Sequence, residues 1–244
     1  MTYATEALKL AHHVAETQAE PVRQAAALLV ASLRAGGVVN AFGSGHSEAI
    51  AMEIAGRAGG LVPSNRLSPR DLVLYGGQPP SVLTPELERD PAVAHQIYAL
   101  APVASQDVFV LVSSSGVNGA VVELATLVKD RGHPLIAITS VRHSTRMTSR
   151  HPSGRKLLDL ADVVLDNGSP YGDAILDLPG GGSYGAVSTI TSALLAQMTV
   201  AETVSALVAL GETPPIYLSV NVTGGDEHNK ALESRYAGRI RRGA

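Results

Sequence analysis

The chain has 244 residues, of which 45% are hydrophobic and 24 are glycine, and it contains no cysteine and no tryptophan. The hydrophobic share excludes a disordered chain, and the lack of cysteine excludes disulfides, thiolate zinc sites and cysteine nucleophiles. With 19 basic and 22 acidic residues the net charge is −3, so the basic surplus typical of nucleic-acid-binding proteins is missing. The N-terminus lacks a signal-peptide pattern and no apolar run reaches membrane-spanning length, which predicts a cytoplasmic protein that acts on a small molecule.

Strand and helix patterns alternate along the chain, and the candidate strands are continuous apolar runs. Such runs are typical of a parallel sheet covered by helices on both faces, which predicts an α/β fold. Pro21 is expected to break or bend the first helix, and residues 61–90, rich in Pro, Gly and Ser, predict only a short strand near Leu61 and Val62. The other predicted elements are, in chain order, a helix over 4–34, a strand over 38–42, a helix over 48–57, a strand over 107–112, a helix capped by Asn118 and ending near 131, strands over 134–139 and 163–165, and helices over 188–210 and 226–236.

Two of the predicted strands end in loops rich in glycine and serine. Residues 43–47, Gly-Ser-Gly-His-Ser, open one helix, and residues 113–118, Ser-Ser-Ser-Gly-Val-Asn, open another. In an open α/β sheet, ligands bind at the carboxyl ends of strands, where free amides and helix dipoles favour an anion. Two such loops on neighbouring strands indicate a phosphate monoester attached to a polar group, although either loop alone could be a tight strand-to-helix turn.

Two other phosphate-binding motifs are excluded by their spacing. A dinucleotide-binding fingerprint needs a third glycine at the position of Glu48, and the chain has no Gly-Lys-Ser/Thr tripeptide of a Walker A loop.

Residues 41–47, Ala-Phe-Gly-Ser-Gly-His-Ser, with the Ala-rich helix that follows, resemble the first signature of the sugar isomerase (SIS) domain family. Residues 112–118 resemble its second signature, the serine-rich phosphate loop. The resemblance extends over nearly the whole chain and is closest to phosphoheptose isomerase and to uncharacterised bacterial proteins near it. It implies a three-layer αβα sandwich with a mostly parallel five-stranded sheet and helical additions at both termini, phosphosugar binding, and a homodimer or homotetramer with composite sites. We expect a single SIS domain over residues 1–244, made of an N-terminal helical region (1–37), the αβα core (38–212) and a C-terminal extension (213–244).

The resemblance implies that polar side chains of both loops bind the phosphosugar, with Asn118 standing where a hydroxyl residue is usual. Ser188 and Thr189 begin the late helix and form a third potential anion-facing cap. Tyr171, Asp173 and His228 are candidates for the pocket or a subunit interface, although a flexible loop would equally explain the first two. The predicted phosphosugar ligands are Ser44, Ser47, Ser113, Ser114, Ser115, Asn118, Ser188 and Thr189.

Glu53 is the main candidate for a catalytic base, since aldose–ketose isomerisation needs a group that moves a proton between C1 and C2. Phosphoheptose isomerase has a helical glutamate shortly before a Gly-Arg pair, as Glu53 precedes Gly56 and Arg57, but an alignment without gaps places Glu53 at a metal-binding histidine of that enzyme. Glu53 and Arg57 also have the spacing of a surface ion pair. His46, inside the first loop, is a second candidate acid or base, or else a turn residue.

We expect neither a metal nor another cofactor. The zinc site of phosphoheptose isomerase uses histidines on the first and late helices, and residues 188–210 contain none. His12 and His13 are adjacent and therefore point in different directions from a helix.

At the C-terminus, Asp226 is predicted as a helix N-cap, and Arg239, Arg241 and Arg242 as a solvated tail. Residues 1–37 read as one helical region without basic surplus, which disfavours a DNA-binding regulator. We predict a cofactor-free aldose–ketose phosphosugar isomerase that binds neither nucleic acid nor membrane. The alternatives are a lyase or deaminase acting on an amino-sugar phosphate, and a phosphosugar sensor without catalysis.

Overall fold

A central parallel sheet organises the computed structural model, which describes residues 2–242. The strands run in the spatial order second, first, third, fourth, fifth, and every neighbouring pair is parallel. The order reverses once, between the first and third strands, so a crevice opens there at the carboxyl ends. The strands are β1 (Val39–Gly43), β2 (Ser64–Leu67), β3 (Val108–Val112), β4 (Leu135–Thr139) and β5 (Val163–Asp166).

Helices cover both faces of this sheet and form the expected three-layer αβα sandwich. Short 3-10 turns lie at Gly45–Ser47, Pro80–Val82, Pro85–Arg89 and Ser234–Tyr236. The helices are α1 (Tyr3–Thr17), α2 (Ala19–Arg34), α3 (Glu48–Ile54), α4 (Asp71–Leu74), α5 (Ala92–Leu100), α6 (Gly119–Asp130), α7 (Val141–Arg146), α8 (Leu157–Leu160), α9 (Ser188–Ala209) and α10 (Gly225–Glu233).

The alternation of side chains along each strand divides the core into two apolar layers. On β3, Val108, Val110 and Val112 pack with α1, α2, α3 and α9, whereas Phe109 and Leu111 face α4, α5, α6 and α8. All five are buried, which explains why β3 is a continuous apolar run rather than an alternating one. Helix α9 has the length and apolarity of a membrane span, but it packs against α1, α2 and α3 as a core helix.

Several element boundaries differ from the sequence-based predictions. The first helical region divides into two helices at Gln18 rather than at Pro21. Pro21 lies in the first turn of the second helix, where a backbone N–H has no acceptor within the helix, so a residue without that N–H is tolerated there. The predicted strand at residues 61–62 is wrong: the edge strand is β2, while Leu61 makes an isolated antiparallel bridge to Ile216. Helix α3 ends at Ile54 rather than near residue 57.

Three further elements were not predicted or were assigned differently. Helix α5 lies inside a stretch without a prediction, and an antiparallel hairpin of β6 (Ala174–Asp177) and β7 (Ser183–Ala186) precedes α9. The N-cap of α10 is Gly224, with φ 78°, and Asp226 instead lies in the first turn. Glycine tolerates this left-handed conformation, which explains why it replaces the predicted aspartate cap.

The C-terminal arginines are not a solvated tail. Arg239 pairs with the fully buried Asp107 at 2.6 Å, and Arg241 contacts the fully buried Asp71 at 3.4 Å. Arg242 donates to the carbonyl oxygens of residues 62 and 64 at 2.6 and 2.9 Å. A buried carboxylate is costly unless it is paired, so these contacts hold the end of the chain against the sheet edge.

Candidate functional site

The two glycine- and serine-rich loops flank the crevice at the reversal point of the sheet. Residues 43–47 follow β1 and residues 113–118 follow β3, and these two strands pair in parallel from Val39 and Val108 to Gly43 and Val112. Both loops therefore leave the sheet side by side at its carboxyl edge, where open α/β sheets bind their ligands.

A cavity of about 720 Å³ opens beside the first loop. Ser44, His46 and Glu48 form one wall, and Arg70 and Glu88 contribute charged groups from later segments. The loop curls back sharply: a Cβ at position 43 would collide with the backbone of Ser47, so glycine is required there. The cavity is large enough for a sugar phosphate.

A second cavity of about 710 Å³ shares His46, Glu48 and Arg70 with the first. Thr189, from the start of α9, lies in its wall, which brings one residue of the predicted third cap to the same site as His46. Met52 and Leu74 line this cavity and are 56% and 48% exposed. The two cavities therefore adjoin along a shared wall.

In the second loop, two of the three serine hydroxyls are engaged by the protein. The Ser113 Oγ accepts from the Gly116 amide at 3.1 Å, and the Ser114 Oγ accepts from the Asn167 Nδ2 at 3.2 Å. Within the described part of the chain, no hydrogen bond engages the Ser115 hydroxyl, and this side chain is half-buried. Ser115 is therefore the hydroxyl of this loop that is free to contact an anion.

Glu88 connects the two loops, and the sequence analysis did not identify it. Its Oε2 accepts from the Ser44 Oγ at 3.3 Å, and its Oε1 accepts from the Asn118 Nδ2 at 2.9 Å. The Asn118 Oδ1 accepts in turn from the Arg150 Nη1 at 3.0 Å. Asn118 stands at the N-cap of α6, but its side chain makes no capping hydrogen bond and holds Glu88 instead.

The position of Glu88 depends on close contact between its turn and α6. A Cβ at position 119 would collide with the Arg89 carbonyl, so only glycine lets the Pro85–Arg89 turn lie against the first residue of α6. Pro85 fixes the start of the turn. The backbone thereby presents Glu88 to the crevice between the loops.

Glu48 is a second carboxylate of the site, and it is held by two arginines. The Arg66 Nη1 donates to it at 2.7 Å and the Arg70 Nε at 3.2 Å. Arg66 also contacts Asp71 at 3.4 Å. Burial raises the pKa of Asp71, and the charges of Arg66 and Arg241 oppose that rise.

The candidate base Glu53 faces away from both cavities. Its Oε1 accepts from the Gln197 Nε2 of α9 at 2.8 Å, and it also pairs with Arg57. Glu53 lines neither of the two cavities, whereas its neighbour Met52 lines the second. The ion pair between Glu53 and Arg57 is the one expected from their i,i+4 spacing in the sequence.

A family model described as "SIS domain" matches residues 2–140, which is more than half of the chain. The chain belongs to the SIS domain family. The UPF0309 protein lmo0025 of Listeria monocytogenes is 40% identical, over 98% of each chain. The UPF0309 protein BH3325 of Halalkalibacterium halodurans is 39% identical, over 93% of each.

Solved structures share the fold of this SIS domain. The phosphoheptose isomerase GmhA of Neisseria gonorrhoeae superposes with a TM-score of 0.56 at 21% identity, over 82% of this chain and 94% of that one. A putative phosphosugar isomerase involved in capsule formation, from Bacteroides fragilis, gives 0.54 at 19% identity, over 94% of both. These likenesses confirm the predicted sandwich.

Ser188 and Asp173 bind each other at the start of α9. The Asp173 Oδ1 accepts from the Ser188 amide at 2.8 Å, and its Oδ2 from the Ser188 hydroxyl at 2.7 Å. Asp173 thus caps α9 from outside the helix, and Ser188 is occupied by this carboxylate. Among the described non-glycine residues, Asp173 alone has a positive φ, 65°.

Replacing Asp173 by alanine is expected to destabilise the protein by about 1–2 kcal/mol, since the cap is lost and the positive φ is retained. Asp173→Gly loses the same cap but relieves the backbone, so it is expected to destabilise less. Urea unfolding of both variants checks this. Equal losses would mean that the backbone conformation at this position contributes nothing.

Of the predicted site residues only Ser44, His46 and Thr189 line the two cavities, so Tyr171 and His228 lie outside them, as do Asp173, Ser188, Ser47 and the predicted residues of the second loop. The Tyr171 ring is 5.2 Å from the ring of His143, and the Arg146 guanidinium lies 5.8 Å from its centroid. Burial lowers the pKa of His143, opposed by the charge of Asp173. The His228 Nε2 lies 3.0 Å from the Ile216 carbonyl oxygen. Within residues 2–242, no three His, Asp or Glu side chains are grouped to hold a metal ion.

Glu123 on α6 fixes the segment that carries Arg150. Its two oxygens lie 2.7 Å from the Nε2 atoms of His95 and His151. Burial acts to raise the pKa of Glu123, but the hydrogen bonds from the two histidines outweigh it, and the pKa lies below the usual 4.5. Arg150, next to His151, is thereby held beside Asn118.

Because its pKa is lowered in the folded protein, ionised Glu123 stabilises the fold at pH values above its pKa in the unfolded chain. This stabilisation disappears as the pH falls through its pKa in the folded protein. The Glu123→Gln variant is therefore expected to be less stable than the wild type near neutral pH and equally stable well below pH 4.5. Urea midpoints measured across this range check the prediction. A constant difference at every pH would contradict it.

Proposed function

We propose that this protein is a cofactor-free, cytoplasmic aldose–ketose isomerase of a phosphosugar. The observation that carries the proposal is the position of Glu88, a carboxylate held between the two anion-binding loops by Ser44 and Asn118. Fold likeness to phosphosugar isomerases supports the substrate class but does not identify the reaction.

In the proposed complex the phosphate binds the second loop. The amides at the start of α6 and the Ser115 hydroxyl supply donors. Arg150 lies near them, because it donates to the Asn118 side chain at the N-cap of α6. The sugar then extends into the cavity beside the first loop, which Ser44, His46 and Glu88 line. The Ser113, Ser114 and Ser188 hydroxyls support the second loop and the start of α9 rather than the ligand, whereas the Ser47 hydroxyl makes no hydrogen bond within the described residues and stays a candidate ligand group.

The proposed chemistry is a proton transfer through an enediol. Glu88 takes the proton from C2 of the aldose and returns it to C1, while His46 exchanges the hydroxyl proton between O1 and O2. We assign the base to Glu88 rather than to Glu53, because Glu53 faces Gln197 and lines neither cavity. Glu48 forms ion pairs with Arg66 and Arg70, and these pairs hold in place the wall that the two cavities share.

We also propose that the site is completed in a homodimer or homotetramer. Three large apolar side chains at the second cavity, Met52, Leu74 and Leu83, are exposed in the single chain, and contact with a second copy would cover them. Sedimentation velocity would show a monomer if this is wrong.

The isomerase proposal is tested by incubating the protein with a panel of aldose and ketose phosphates in deuterated water. Deuterium is expected at C1 or C2 of at least one substrate, detected by proton NMR. Absence of exchange with every member would overturn the proposal. Release of ammonia or lactate would indicate the deaminase or lyase, and saturable binding without any reaction would indicate a sensor.

A further inference from the structure

A third cavity, of about 330 Å³, lies beside the site already described and is lined mainly by arginine side chains. Arg57 from the segment after α3, Arg66 from β2, and Arg241 and Arg242 from the C-terminal segment all line it. The other four lining residues are uncharged: Met52, Ala55, Gly56 and Tyr75. Among the described residues that line this cavity, none is acidic.

The carboxylates that pair with these arginines lie behind them, outside the cavity. Arg57 pairs with Glu53, Arg66 with Glu48 and Asp71, Arg241 with Asp71, and Arg242 with Glu233. Glu48 also pairs with Arg70, so five arginines face four carboxylates and the cluster carries one net positive charge.

Several hydrogen-bond donors of the cluster remain available to a ligand. A guanidinium group has five N–H donors. Within the described residues, Arg57 uses only its Nη1, toward Glu53, and its side chain is 49% exposed. The contacts of Arg66 and Arg241 with Asp71 are long, at 3.4 Å each. The Arg241 guanidinium stacks 3.8 Å from the Tyr75 ring centroid, which fixes its plane at the cavity wall.

We propose that this cavity binds a small, multiply charged phosphorylated anion, at a site separate from the serine-rich loop. Guanidinium groups on different walls match phosphate oxygens that point in several directions, and arginine forms paired hydrogen bonds with phosphate. The volume is at the lower end of the range for ligand pockets, which favours a compact anion.

The proposed site is connected to the candidate active site through one residue. Arg66 lines both the arginine cavity and the second cavity of the active site, and its Nη1 donates to Glu48 at 2.7 Å. An anion that takes hydrogen bonds from Arg66 competes with Glu48. Binding of an anion in the arginine cavity therefore changes the hydrogen bonding of Glu48 in the wall of the candidate active site.

Isothermal titration calorimetry with inorganic pyrophosphate tests the proposal on the full-length protein. Arg57→Gln is the main variant, because this half-exposed side chain can be removed without unpairing a fully buried group. We expect its affinity for pyrophosphate to fall about tenfold or more. Arg57→Lys should also bind more weakly than the wild type, because lysine lacks the planar guanidinium group that forms paired hydrogen bonds with phosphate. Circular dichroism confirms that each variant is folded.

The matched control is Arg34→Gln, which removes a similarly exposed arginine that pairs with Glu212 and does not line the cavity. It should bind pyrophosphate as the wild type does. Ser115→Ala separates the two anion sites, because it should leave unchanged the binding that Arg57→Gln weakens. The proposal is overturned if the wild type does not bind, if Arg57→Gln and Arg34→Gln bind equally, or if Ser115→Ala alone abolishes binding. None of these outcomes depends on isomerase activity.

Discussion

Replacing Glu88 by glutamine is expected to reduce C1/C2 proton exchange by about 10²–10⁴-fold, the usual contribution of a general base. The amide keeps the size of the side chain, and its oxygen can still accept from Ser44, so the fold of the turn should survive. The loss should appear in kcat more than in KM, since the carboxylate acts on the reacting carbon and not on the phosphate. Measured exchange rates on the substrate found by the deuterium panel check this.

Two further variants make the assignment specific. Glu86→Gln removes the neighbouring carboxylate of the same turn and should leave the rate near that of the wild type. Glu53→Gln should also remain active, because Glu53 bonds to Gln197 outside the two cavities. If Glu53→Gln is inactive while Glu88→Gln is not, the base belongs to α3 and the original sequence-based prediction is correct.

The Asp107→Ala variant is expected to lose about 3–5 kcal/mol of unfolding free energy, the cost of leaving a buried charge without its partner. Asp107 is fully buried, and it accepts from the amides of Val38 and Ala104 at 2.9 Å each and from Arg239 at 2.6 Å. The Asn40 Nδ2 also donates to Asp107, at 3.3 Å, so alanine removes the acceptor of four donors. Urea unfolding at neutral pH measures the loss.

The control for this variant is Glu212→Ala, which breaks the ion pair with Arg34 on the protein surface. Both of those side chains are more than one-third exposed, so solvent screens the pair and the expected change is below about 1 kcal/mol. Similar losses in the two variants would show that burial of Asp107 has no energetic consequence.

The parts of the fold that could be predicted are those encoded in local pattern. Strands β1, β3, β4 and β5 are apolar runs, and each is followed by a glycine-rich or turn-forming segment, so the sheet core could be predicted from neighbouring residues alone. Strand β2 could not, because it reads Ser-Asn-Arg-Leu. Its Asn65 is buried through hydrogen bonds with Arg239 and Arg241, more than 170 residues away. Hydrogen bonds to such distant residues produce no periodic pattern in the sequence around β2.

The candidate site was predictable in its loops but not in its carboxylate. Serine and glycine after a strand indicate an anion site wherever they occur. Glu88 lies in a proline-rich stretch without periodicity, and it reaches the loops only because Gly119 lets the Arg89 carbonyl approach α6. For α5 a signal was present: Val93, Ala94 and Ile97 follow Pro91 with the spacing of a helix face.

The pairing of Asp107 with Arg239 has a consequence for how the protein is made. The two residues are 132 positions apart, and at about 5–20 residues per second the ribosome adds Arg239 roughly ten seconds after Asp107. During that interval Asp107, immediately before the nascent strand β3, lacks the Arg239 guanidinium that pairs with it. The sheet can therefore reach its native stability only after Arg239 has been synthesised, and a chain truncated shortly before Arg239 should be less stable and more readily degraded.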